Sequence, residues 1–316
     1  MQHNIYDRFH GCWWGGILAS RCFPSTTDKK PKMLEPSWLK KRRALARILI
    51  EHKLRTASSA VVSSLSLVRG TATPDYLSVS DEVMLVWLPL IMFGTDNGIG
   101  QPEFISDGFN LFEGIEDEEN EQLQKHLSIW SQLVNGVLYS RLSRPLGRIV
   151  TDRLSNEQQF NSLVSKLRLV QQRIEGGITL QQLEHQLKSS NNLREQAVAL
   201  SWYCFATTPR NFELSVKRAI RVEPRVALLT ATLTGTLSGA YNGMTRISGY
   251  GRSLFIREGE RDLENYLFDE LFADWLGVYA AGAARSCDLT LEAIAPPKLM
   301  QTRSGLKIIS QSNFHN

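Results

Sequence analysis

The sequence has few cysteines, few histidines and almost no excess of charge, and each shortage removes a class of function. Four cysteines, Cys12, Cys22, Cys204 and Cys287, are scattered through 316 residues. None forms a Cys-x-x-Cys pair, and no cysteine–histidine group has zinc-finger spacing. Reduced thiols in a cytoplasmic protein are the expectation. The six histidines are dispersed and no Gly-x-Ser-x-Gly occurs, which leaves Ser-His-Asp hydrolysis without a foothold. Walker A and dinucleotide-binding fingerprints are missing too. A net charge of +4 with a pI near 8.9 is too weak to imply nucleic acid by itself. The opening MQHNIYDRFHGCWWGG has no basic n-region followed by an apolar stretch, so no signal peptide is expected. The longest uncharged stretch starts at Val226 and runs up to Arg246, about the length of a membrane span. Its Thr, Ser and Gly content suits close helix packing in a protein core better than lipid, so no membrane partner is expected.

What is present reads as helix. Hydrophobic residues make up 42% and charged residues 22%, a globular composition with ample material for a core. No segment alternates at period two, and no repeat or linker divides the chain. The expectation is one all-α domain over residues 1–293, followed by a flexible polar tail over 294–316. Helices are predicted over 7–20, from a Ser37 cap onward with a further stretch through Val68, and over 83–93, 121–142 and 157–174. Others are predicted after a Thr179 cap, over 193–206 up to Pro209, from an Asn211 cap to Ile220, and over 225–244 and 262–283. Residues 24–36 and 94–110 read as loops rich in Pro and Gly. In VMLVWLPLIMF, residues 83–93, Pro89 argues against a central strand, and Asp81 and Glu82 suit a helix start.

Several charged or aromatic groups have two readings. Lys40, Lys41, Arg42, Arg43 and Arg47 are read as a solvated helix face; the alternative is a nucleic-acid surface. The carboxylates from Glu113 to Glu121 are read as an exposed helix start rather than a cation site. Trp13-Trp14 is assigned to core packing rather than to a cleft for a planar ring. Gly249-Tyr-Gly251-Arg252 reads as a loop rather than an anion site. His10, His52, His126 and His185 are read as surface or core residues.

Glycine spacing carries the strongest pattern. Gly11 and Gly15 are four apart, so they share one helix face. Gly235, Gly239 and Gly243 repeat that spacing in a second helix. A bare stripe lets another helix approach closely, and a structural role is enough to explain it.

Three segments resemble the ADP-ribosylglycohydrolase family. Gly11-Cys-Trp-Trp-Gly-Gly-Ile-Leu-Ala-Ser20 is similar to its opening G-x-x-x-G-x-x-x-G-D. VMLVWLPLIMF is similar to its central L-M-R-x-x-P-L. Phe212-Glu-Leu-Ser-Val-Lys-Arg-Ala-Ile220, then Thr234-Gly-Thr-Leu-Ser-Gly-Ala-Tyr-Asn-Gly243 to Arg246-Ile247, resembles F-x-x-A-V-x-x-A-I/V, A-G-A-L-x-G-A-Y-x-G and I-P. The resemblance spans roughly residues 5–247 and implies a single-domain orthogonal helical bundle.

The family's hydrolysis uses two magnesium ions held by clustered acidic oxygens. Its late G-G-D-T-D-T falls on Pro224-Arg225-Val226-Ala227-Leu228-Leu229, so Val226 and Leu228 stand where aspartates belong. The early G-D falls on Ala19-Ser20, and no Thr-Asp-Asp occurs. The resemblance therefore implies a silent member without catalytic residues, cofactor or metal site, its degenerate positions being Ser20, Val226 and Leu228. A protein or small molecule is the expected partner, with nucleic acid disfavoured. The alternative is a divergent hydrolase with displaced ligands drawn from Asp28, Glu35, Asp96 or Glu223.

Overall fold

The computed structural model describes residues 4–22, 36–51, 77–93, 117–139, 146, 147, 149, 162–188, 192–247 and 258–276. Among them the chain is helical, with no strand. The helices are α1 (Ile5–Arg21), α2 (Ser37–Glu51), α3 (Val79–Val86), α4 (Leu88–Phe93), α5 (Asp117–Tyr139) and α6 (Ser162–Glu175). They continue with α7 (Leu180–Leu187), α8 (Leu193–Thr207), α9 (Phe212–Ile220), α10 (Pro224–Arg246) and α11 (Glu258–Leu276). The expected all-α class is therefore present. The 294–316 tail, the stretch through Val68, the 94–110 loop and the Gly249–Arg252 turn lie outside the described residues.

Short polar side chains start the helices where the sequence places them. The Thr179 hydroxyl accepts from the Gln182 amide, and the Gln182 side chain accepts from the Thr179 amide in return. Gly177 precedes this cap with a φ of 70°. Asn192 and Asn211 accept from the amides three residues on, at 3.2 and 3.0 Å. Ser78 caps α3, whose first turn carries Asp81 and Glu82. Ser37 differs from expectation: it lies inside α2, and its hydroxyl donates to the buried Glu82 carboxylate.

α1 and α10 form the most extensive helix pair. They run antiparallel, with their glycines facing each other. Gly11 lies against Gly239 and Gly243, and Gly15 against Gly235 and Gly239. A Cβ on any of the four glycines at 11, 15, 235 or 239 would collide with backbone. The two stripes read separately in the sequence are thus the two halves of one contact. Helices α8 and α9 flank α10, α6 packs on α8, and α2 packs on α3 and α11.

The expected long helix over 225–244 is present as α10, with a kink near its end. Gly243 takes φ 71° and ψ 166°, a conformation that suits only glycine, and kinks α10 there. Two residues of α1 support the kink. The buried Arg8 donates to the Ala240 carbonyl at 3.0 Å and to the Val137 carbonyl. The Asp7 carboxylate accepts from both the Thr245 amide and the Thr245 hydroxyl, each at 2.9 Å.

Candidate functional site

The antiparallel crossing brings the C-terminal end of α1 towards the N-terminal half of α10, and these ends carry the three positions that the resemblance marks as degenerate. Ser20 is 9% exposed and spends its hydroxyl on the Ile17 carbonyl at 2.8 Å. Val226 is 2% exposed in the first turn of α10. Leu228 is half-buried, and its carbonyl accepts from the Thr232 hydroxyl at 2.8 Å. The neighbouring Arg225 is exposed. Two alkyl side chains and a hydroxyl that already donates to its own helix do not fit two magnesium ions, which want clustered carboxylate oxygens. Among the described residues no group of three His, Cys, Asp or Glu side chains could hold a metal. Of the displaced candidates, Asp28, Glu35 and Asp96 lie outside the described residues. Glu223 lies 3.4 Å from Lys188, and its amide donates to Glu184 at 2.8 Å.

The basic run of α2 does not make the solvated face expected of it. Arg42 is fully buried and Arg43 is 8% exposed. Both donate to Glu264 of α11, Arg42 through Nη2 at 3.1 Å and Arg43 through Nε at 2.5 Å. Trp13 Nε1 donates to the same carboxylate at 2.8 Å. The Arg42 guanidinium also lies 4.4 Å from the centre of the Trp13 ring and 5.3 Å from that of Trp38. Lys41 pairs with Glu82 at 2.5 Å, which leaves Lys40 and Arg47 as the exposed members of the run. Burial pulls the Arg42 pKa down, and Glu264 opposes that shift. The physical cause is simple: a helix face rich in arginine is buried when a buried acid on another helix neutralises it.

Trp13 and Trp14 are both core residues. Trp14 Nε1 donates to Asn265 Oδ1 at 3.0 Å, and His10 stacks on Phe268 at 4.7 Å between centroids. His185 is exposed and His52 lies outside the described residues. Described carboxylates of the acidic run, Glu118, Glu119 and Glu121, are exposed at the start of α5, as expected. Glu121 pairs with Lys125 at 2.6 Å.

A second charge cluster joins residues too far apart in the chain for sequence spacing to signal it. Glu195 of α8 accepts from His126 Nε2 of α5 at 3.1 Å, and from Ser162 and Lys166 of α6. Burial opposes ionisation of this carboxyl, but the hydrogen bonds from His126, Lys166 and Ser162 outweigh it and hold its pKa at about 2. Ser162 donates to the glutamate rather than to the histidine, so the group is not a nucleophile–base–acid relay. It ties three helices together.

Beside the α1–α10 contact, a crevice runs between α2, α3, α4, α5 and α10. It is too narrow to seat a water molecule. Its walls are mostly apolar, with Trp38, Arg42 and Trp130 among them.

No family model matches the chain, and no curated protein matches it. The class that fold and site define is an all-α protein; among the described residues no helix is long and apolar enough to cross a membrane.

Proposed function

We propose that this protein is a catalytically silent binding or regulatory module on an ADP-ribosylglycohydrolase-like scaffold. Its partner is a protein or a small molecule, and it acts in the cytoplasm. The observation that carries this reading is the state of the inherited ligand positions. Val226 is buried, Leu228 is alkyl, and Ser20 is hydrogen-bonded to its own helix. The packing glycines support the scaffold, because Gly11 and Gly15 on one of the resembling segments meet Gly235 and Gly239 on another. Fold alone does not supply activity, so the reading stands on those side chains. The test is incubation of purified protein with ADP-ribosyl-arginine and magnesium. Release of ADP-ribose no faster than in protein-free buffer is expected. Magnesium-dependent release would overturn the proposal.

A further inference from the structure

Two exposed helix stripes carry opposite charge, each around one apolar side chain. On α9, Leu214 is 43% exposed. Lys217 lies one turn and Arg221 two turns further along the same face, and Arg210 stands just before the Asn211 cap. On α11, Tyr266 is 51% exposed. Asp262 lies a turn before it, and Asp269 and Glu270 a turn after. The charge bias is strong on both sides. Residues 207–225 hold five cations against two carboxylates, Glu213 and Glu223. Residues 258–276 hold seven carboxylates against one arginine. Glu213 pairs with Lys217 and Glu223 with Lys188, whereas Arg210, Arg221, Asp262 and Glu270 form no ion pair among the described residues. Both stripes lie beside the same end of α1. Arg21 pairs with Glu260 in the first turn of α11 at 2.8 Å, and the adjacent Cys22 lies in the field of Glu213 and Lys217 of α9.

We propose that the chain pairs with a second copy of itself, α9 of each protomer docking on α11 of the other about a two-fold axis near the end of α1. Such an isologous contact uses the same two stripes twice. Leu214 of one protomer packs on Tyr266 of its partner, and the arginines at the ends of α9 face the carboxylates of α11. A single exposed apolar side chain is ordinary. Rims of opposite sign around two of them select which surfaces meet. Nucleic acid or an anionic membrane would answer to the basic stripe alone and leave the acidic one without a partner. The contact is small and charged at its rim, so it is weak and sensitive to salt. It goes beyond the function proposed above and does not depend on whether the chain hydrolyses anything.

Sedimentation velocity on the full chain over a concentration series tests this. A monomer–dimer equilibrium is expected at low salt, weakened at least about tenfold at high salt. Arg210→Glu combined with Arg221→Glu gives a monomer, and so does Asp262→Lys combined with Glu270→Lys. Mixed in equal amounts, the two variants dimerise again, because each now supplies the charge that the other's altered face needs. Lys40→Glu with Arg47→Glu, exposed on α2, makes the same change in net charge as the first variant and leaves the equilibrium in place. Leu214→Ser and Tyr266→Ser, uncharged changes at exposed sites, weaken the dimer at least about tenfold and serve where a charge-reversed chain does not fold. A monomer at every concentration, a dimer indifferent to both charge reversals, or a mixture of the two variants that stays monomeric overturns the proposal.

Discussion

Gly239→Ala is the perturbation that reaches deepest into this fold. A Cβ at that position falls 2.7 Å from the Gly11 carbonyl carbon, closer still to its oxygen, and 3.2 Å from Gly15 Cα. Real Cβ atoms essentially never come within 3.0 Å of such neighbours. The obstacle is backbone rather than a flexible side-chain end, so no rotamer change relieves it. α1 and α10 must separate along the most extensive helix contact among the described residues. Overpacking of this kind costs about 1–3 kcal/mol. A gap opened by roughly 0.5–1 Å forfeits a quarter to a half of the dispersion energy along the seam. Better helix propensity returns about 1 kcal/mol. The net expectation is a loss of about 2 kcal/mol or more, read as a lower urea midpoint with an unchanged slope. Gly259→Ala is the matched control. It sits in the first turn of α11 with nothing within 4 Å of an added Cβ, and should be neutral or slightly stabilising. A wild-type midpoint for Gly239→Ala would refute the glycine-to-glycine contact.

Three further outcomes follow from the buried charges and thiols. Glu264→Gln should cost about 3–5 kcal/mol in thermal or urea unfolding, because it strands two buried guanidiniums. Glu260→Gln, facing Arg21 nearer the surface, should cost under about 1 kcal/mol, and equal losses would contradict the assignment. Glu195 has its pKa lowered from 4.5 to about 2, so its contribution is complete above pH 4.5 and is lost as pH falls towards 2. That contribution is at most about 3 kcal/mol, and a Glu195→Gln variant should lose correspondingly less stability over the same acid window in denaturant titrations. In a Cys287→Ser background, a disulfide reagent should modify exposed Cys22 in the native protein. Cys12 and Cys204, both buried and with thiol pKa values raised by that burial, the latter to about 12, should react only on unfolding. Native-state labelling of all three would contradict the core placement.

Local signals were readable from the sequence and distant pairings were not. Thr179, Asn192 and Asn211 lie within three residues of the amides they cap, so turn chemistry and apolar period sufficed for most helices. The glycine spacing likewise showed two bare faces, although only the fold shows that they face each other. The α2 arginines were misread because charge alone suggests solvent, while Glu264 stands 222 residues from Arg42. The Glu195 cluster draws on residues 29 to 69 positions away. The Gly243 kink hides in a four-residue repeat that otherwise implies continuous helix. Ser37 had the chemistry of a cap, yet its hydroxyl donates to Glu82 on α3. Of the three positions that the resemblance singles out, Val226 and Leu228 show their alkyl chemistry in the sequence, while the engagement of Ser20 by Ile17 does not show there.

The proposed lack of a dinuclear metal site is tested most directly by manganese titration followed by electron paramagnetic resonance. Free Mn²⁺ gives a sharp six-line signal that collapses when the ion is bound. With buried Val226, alkyl Leu228 and an internally bonded Ser20 at the positions the resemblance assigns to ligands, the signal should match protein-free buffer at every protein concentration. A saturable loss of two equivalents of free manganese per chain would contradict the account.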